Sequence, residues 1–269
     1  MVTPEADLCA APRPGSPRAW HVAAAQKRGT SHEANGEGCQ DAYGLAMLSP
    51  EALIITVADG AGSARYAEVG ACLAASRGLG EVCARLAEAE DASSLDDATL
   101  KDVMYEGLAA ARCAVEAEAA VRRVSAHELS TTLIIVIARP DFIAAAQVGD
   151  GATVIADDAG EIICLTRPPA GEHINETIFL TSEEALHTAQ TAVWRGRAAR
   201  LAAFSDGLQL LCLKWPEFLP HKAFFSPLFG FIGDADDGLQ AAQELTRFLD
   251  SNRIKELTDD DITLVLSSI

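Results

Sequence analysis

Apolar runs broken by Gly, Asp, Asn and Pro recur along the chain. They predict strands at about 19–26, 42–48, 52–58, 131–138, 142–148, 152–156, 161–165, 200–205 and 262–268. Several runs are apolar at nearly every position, the pattern of strands covered on one or both faces. Three stretches change to helical spacing. Residues 64–90 carry Val69, Leu73, Leu79, Val82 and Leu86, interrupted by Gly78 and Gly80. Residues 97–123 set Leu100, Val103, Met104, Leu108 and Val115 on one side, and 237–250 repeat the pattern with Leu239, Leu245, Phe248 and Leu249. Strands come first, then two consecutive long helices, a block of strands, a late helix and a final strand. That order departs from the steady alternation of a doubly wound parallel sheet. The hairpin-like spacing within 131–165 predicts antiparallel sheets with helices packed outside.

No internal repeat and no linker divides the chain, so one domain is expected over residues 19–269, after a loose Pro-, Ala- and Gly-containing tail at 1–18. Residues 166–198 are polar and irregular, and are expected to leave the core in an excursion of the kind that borders sites. The chain has 269 residues, 49% of them hydrophobic, enough to bury one sizeable core. The tail lacks a basic start followed by an apolar block, and no apolar run reaches the length of a membrane span. Seven cysteines are scattered without a C-x-x-C pair, which points to reduced thiols in a cytoplasm. The 21 Lys and Arg against 39 Asp and Glu leave a net charge of −18, which repels phosphate backbones and argues against nucleic-acid binding.

The acids matter more for where they stand than for their number. The run "LIITVADGAGS" ends in Asp59-Gly60, "FIAAAQVGDG" in Asp150-Gly151 and "RLAAFSDG" in Asp206-Gly207, while Asp41 and the triplet Asp259-Asp260-Asp261 stand immediately before strands. Each taken singly reads as a turn, a cap or a solvated loop. Taken together they lie at strand termini, where a sheet brings distant positions onto one edge. Carboxylates meeting there repel unless cations lie between them. Oxygen ligands without His or Cys at metal spacing select hard ions, Mg²⁺ or Mn²⁺, over zinc. Gly60-Ala61-Gly62 has Arg65 where a dinucleotide loop needs its third glycine, and no phosphate loop, His-Glu-x-x-His or Gly-x-Ser-x-Gly is found.

In order, "CQDA", "VADGAGS", "LSTTLIIVIA", "AQVGDGATV", "FSDG" and "DDDITLV" resemble the motifs of the metal-dependent protein phosphatases of the PP2C family, in its bacterial branch with a Cys-Gln-Asp-Ala opening. The resemblance runs from about residue 20 to the C-terminus. It implies an α+β fold, a four-layer α-β-β-α sandwich of two mainly antiparallel sheets flanked by helices, with a metal site at one end. It further implies that Asp59 bridges two Mn²⁺ or Mg²⁺ ions and that the Gly60 carbonyl contacts one. Asp206 and Asp260 then hold the first ion, and Asp41 stands beside the second through water. Asp150 joins Asp206 at a third, weaker ion, and Asp261 supports the site. Two positions depart from the family: Gln40 stands where relatives often carry Glu, and the usual phosphate-binding Arg is missing. "GTSH" makes His32 the candidate phosphate contact or acid, with Arg28 or Arg65 as helpers.

The implied reaction is hydrolysis of phosphoserine or phosphothreonine in proteins, opposing a serine/threonine kinase, by a water that two cations share and acidify. It needs no phosphoenzyme and no Cys. A catalytically weakened regulatory or phosphoprotein-binding module, and a hydrolase of small phosphate esters, are the alternatives. The piece at 171–177, Gly-Glu-x-x-Asn-Glu-Thr, resembles the same bacterial branch without a physical role attached to it.

Overall fold

The computed structural model describes residues 19–89, 95–169 and 177–269; the expected tail at 1–18 and most of the 171–177 piece lie outside the described residues. In chain order the elements are β1 (His21–Lys27), α1 (Thr30–Asn35), β2 (Asp41–Ser49), β3 (Ala52–Asp59), α2 (Ala67–Glu88) and α3 (Asp97–Arg122). Next come β4 (Leu133–Ala138), β5 (Phe142–Val148), β6 (Ala152–Asp157), β7 (Ile162–Thr166), α4 (Ala185–Thr188), β8 (Gln190–Arg195) and β9 (Ala198–Phe204). The chain closes with α5 (Gln209–Cys212), β10 (Leu213–Lys214), β11 (Leu219–Pro220), α6 (Lys222–Gly233), α7 (Gly238–Leu249), α8 (Asn252–Lys255) and β12 (Ile262–Ser268).

Two five-stranded antiparallel sheets carry the fold, one ordered β1-β12-β9-β6-β7 and the other β2-β3-β4-β5-β8. The period of two along each strand sorts its side chains into separate layers. On β3, Leu53, Ile55 and Val57 face the space between the sheets, where they meet Ile134 and Val136 of β4, Leu201 of β9 and Val265 of β12. The alternate residues Ile54 and Ala58, with Leu133, Ile135 and Ile137 of β4, face outward onto α2 and α3 through Ala71, Ala74, Leu100, Met104 and Leu108. On the other outer face Phe204, Leu264 and Leu266 pack against Phe225 and Phe229 of α6 and Leu245 and Leu249 of α7. Three apolar layers between four layers of secondary structure make an α-β-β-α sandwich, the expected α+β class. Among the described residues no helix is long and apolar enough to cross a membrane.

The two long helices and the late helix lie where their spacing predicts, but three expectations need correction. Residues 166–198 are not irregular throughout, because 190–195 form β8 and extend one sheet beyond β5, from Phe142↔Arg195 to Gln147↔Gln190. As an edge strand that is only partly covered, β8 lacks the apolar run by which the inner strands announce themselves. Residues 222–233 form α6, a helix outside the three that spacing predicts, concealed by its internal Pro227 and by apolar residues that mark no single face. Leu239 is 78% exposed, and the core face of α7 is instead Ala241, Leu245 and Leu249, spaced one turn apart.

Candidate metal centre

Five segments end or begin at the same edge of the sandwich. Asp41 opens β2 and Asp59 closes β3, and the antiparallel register pairs them directly across the ladder. Asp206 follows the last residues of β9, and Asp260 and Asp261 precede β12, its partner, with Phe204 opposite Leu264. Asp150 lies in the turn 149–151, which carries the chain from β5 in one sheet to β6 in the other. Each sheet therefore contributes acids, and the crossing between them contributes one more.

The backbone around these residues is held firmly. The Asp59 N–H donates to Thr132 Oγ1 at 3.1 Å, and its carbonyl accepts from Thr132 N–H at 2.7 Å and from the Thr131 hydroxyl at 2.9 Å. Two glycines are required by close approach: a Cβ on Gly60 would lie 2.7 Å from the Ala67 backbone, and one on Gly207 would lie 2.1 Å from the Asp261 carbonyl oxygen. The missing Cβ at Gly207 lets the Asp206 turn lie directly against the Asp260-Asp261 loop. Gln147 on β5 fastens the Asp150 turn, donating from Nε2 to the carbonyls of Gly149 at 3.0 Å and Gly151 at 2.7 Å.

Asp59, Asp150 and Asp206 each present one carboxylate oxygen, and the three oxygens lie within 4.8 Å of one another. Asp41 and Asp260 flank this trio. The Ser205 hydroxyl donates to Asp41 Oδ2 at 2.7 Å, while the Asp260 charge is felt at Asp206. Asp41 Oδ1, Asp150 Oδ1 and Gln40 Oε1 are buried without a hydrogen-bond partner among the described residues. Electrostatics follow from this crowding. Burial pushes the Asp59 carboxyl well above the usual range, helped by the charges of Asp41 and Asp206. Burial also raises Asp41 to about 7 and Asp206 to about 6, the neighbouring acids adding to both. Asp260 is raised by burial and by the Asp261 charge, against the lowering effect of the Asp261 N–H that donates to it. Buried, orphaned, mutually repelling carboxylate oxygens with no Cys or His among them fit a hard divalent cation.

His32 lies on α1, buried, with Nδ1 3.0 Å from Asp261 Oδ2 and Nε2 3.9 Å from Glu37 Oε2. Burial alone lowers its pKa, but the hydrogen bond and charge of Asp261, with Asp260 and Glu37, leave it raised. Asp261 is a larger organiser than its supporting role suggests, since it also accepts from Gly29 N–H at 2.7 Å and Gln40 N–H at 2.5 Å. Arg28 turns to the Glu37 carbonyl at 3.0 Å, and Arg65 stacks 5.2 Å from the Tyr66 ring. Sequence reasoning passed over Ser205, whose hydroxyl also accepts from Thr263 N–H at 2.9 Å. Its place directly before Asp206 was the available signal.

The family model described as protein phosphatase 2C matches residues 28–250. The chain is 35% identical over 255 residues to serine/threonine-protein phosphatase 3 of Escherichia coli (strain K12), covering 92% of this chain and 98% of that protein. Among solved structures it resembles serine/threonine phosphatase Stp1 from Staphylococcus aureus, with a TM-score of 0.61, 15% identity and coverage of 92% of this chain and 94% of that one. It also resembles the catalytic domain of serine threonine protein phosphatase PstP in complex with two manganese ions, with a TM-score of 0.57, 17% identity and coverage of 93% and 97%.

Proposed function

The chain belongs to the protein phosphatase 2C family, and from that premise we propose that it hydrolyses phosphoserine and phosphothreonine esters of proteins with the help of divalent cations held by its aspartates. The observation that carries the reading is the convergence of Asp59, Asp150 and Asp206, from three distant segments, within 4.8 Å at one edge of the sandwich. Asp41 Oδ1 and Asp150 Oδ1, buried without a hydrogen-bond partner among the described residues, support it.

On this reading Asp59 and the Gly60 carbonyl would help to hold two Mn²⁺ or Mg²⁺ ions. Asp206 and Asp260 would hold one of them, Asp41 would assist at the other, and Asp150 with Asp206 would hold a third more weakly. When bound, such ions acidify water and neutralise charge on a transferring phosphoryl group. The chain itself supplies placement. Thr131 and Thr132 fix the Asp59 backbone, Ser205 aims Asp41, and the glycine contacts keep the acid-bearing turns pressed together. His32, whose pKa Asp261 raises against the effect of burial, is the group we assign to phosphate contact or to delivering a proton to the leaving alkoxide. The substrates are phosphoproteins made by a serine/threonine kinase in the cytoplasm, where scattered cysteines stay reduced.

Release of phosphate from a phosphothreonine peptide tests this reading. Release is expected with Mn²⁺, lost with chelator, and lower with p-nitrophenyl phosphate at equal concentration. Preference for the small ester points instead to a small-molecule phosphatase. Metal uptake with no turnover on either substrate points to a binding module.

A further inference from the structure

We infer that Thr177 is a positioning residue for Asp150: through that acid it sets how tightly a divalent cation is held at this edge of the centre. The inference rests on the metal reading above. The Thr177 hydroxyl donates to Asp150 Oδ2 at 2.6 Å, while Asp150 Oδ1 is buried without a hydrogen-bond partner among the described residues. A carboxylate fixed through one oxygen has its other oxygen aimed. Here the acid so fixed belongs to the trio with Asp59 and Asp206. Asp150 has few other means of orientation, since the contacts of Gln147 and Gln209 go to carbonyls of its turn and not to its side chain.

The segment that delivers Thr177 is laced to the rest of the centre. Phe179 packs on Ala61, Ala64 and Ala67, the stretch directly after Asp59-Gly60. Leu180 is fully buried, and its N–H donates at 2.8 Å to the carbonyl of Thr131, whose hydroxyl holds the Asp59 carbonyl. The hydroxyls of Thr181 and Ser130 lie 2.9 Å apart, and Arg112 reaches the Ser182 carbonyl at 2.7 Å. Residues 177–182 therefore touch two acid-bearing segments through side chains, Asp150 through Thr177 and the stretch after Asp59 through Phe179, and hold Thr131 through the backbone. Hydrogen-bond donors behind metal ligands commonly change metal affinity ten- to a hundredfold. Because coupling is reciprocal, a cation on Asp150 also secures the seating of this segment.

Calorimetric titration of the metal-stripped full chain with Mn²⁺ alone tests the assignment. Thr177→Val, which keeps the shape and removes the donor, is expected to weaken the most weakly held Mn²⁺ about tenfold, and Thr177→Ser to stay within about twofold of wild type. In an Asp150→Asn background the Val substitution is expected to change the isotherm less than about twofold, because its effect runs through that acid. An isotherm for Thr177→Val that superimposes on wild type overturns the inference. So does an equal weakening of every ion together with a lower unfolding temperature of the metal-free chain, which marks a merely structural role. A wild-type chain that takes up no Mn²⁺ overturns the metal reading itself, a result distinguishable from either.

Discussion

Asp59 closes a strand whose other seven positions are all buried, and burial, with the charges of Asp41 and Asp206, raises its carboxyl. Without cations, Asp59 and Asp206 are expected to share protons that ordinary carboxylates give up. Asp41 at about 7 and Asp206 at about 6 stand above the roughly 3.9 of an unfolded Asp. The folded chain thus binds more protons than the unfolded chain between these values, and its stability falls as pH rises. The contribution is complete below about pH 4 and is lost as pH rises through about 6 for Asp206 and about 7 for Asp41. Thermal unfolding in chelator is expected at a lower temperature at pH 7.5 than at pH 5, with saturating Mn²⁺ abolishing the difference. A rise across that range in chelator contradicts the assignment. Asp59→Asn and Asp206→Asn are each expected to lower the rate with a phosphothreonine peptide at least about a hundredfold in saturating Mn²⁺. Near-wild-type turnover in either would remove these residues from the mechanism. The positions of these acids were legible because each breaks an apolar run at its end. The partners of His32 and Thr177 were not, since Asp261 and Asp150 meet them only through long-range packing that no local pattern encodes.

At the scale of elements, near-continuous apolar runs identified the inner strands, because both their faces are covered, and helical spacing identified the long helices, because burial on one face writes that period. Where a strand is only partly covered, or a helix is apolar on several faces, the signal weakens. Half-covered β8 shows no apolar run, and α6 is apolar at so many positions, with a proline inside, that no face stands out. Yet α6 is part of the core: Phe225 is fully buried, with its ring centroid 5.9 Å from that of Phe204, two residues before Asp206. Phe225→Ala is expected to cost about 3–5 kcal/mol of stability in urea unfolding. A loss below about 1 kcal/mol would mean that residues 222–233 do not pack as a helix on the sheet.

Across the whole molecule, the two sheets hold the acids of different strands at one edge, and the β5–β6 crossing places Asp150 between them. The net charge of −18 also acts at this scale. A surface so acidic draws in basic phosphopeptides and repels acidic ones over about a Debye length, roughly 8–10 Å at physiological salt. Raising the salt is expected to lower kcat/KM for a basic phosphopeptide and raise it for an acidic one; equal responses would show that long-range charge plays no part in capture. The most direct test of the central claim is anomalous diffraction at the manganese edge from crystals soaked in Mn²⁺. Two strong peaks sharing Asp59 are expected, with Asp206 and Asp260 on one of them. Peaks elsewhere, or none beside Asp59, would contradict that claim.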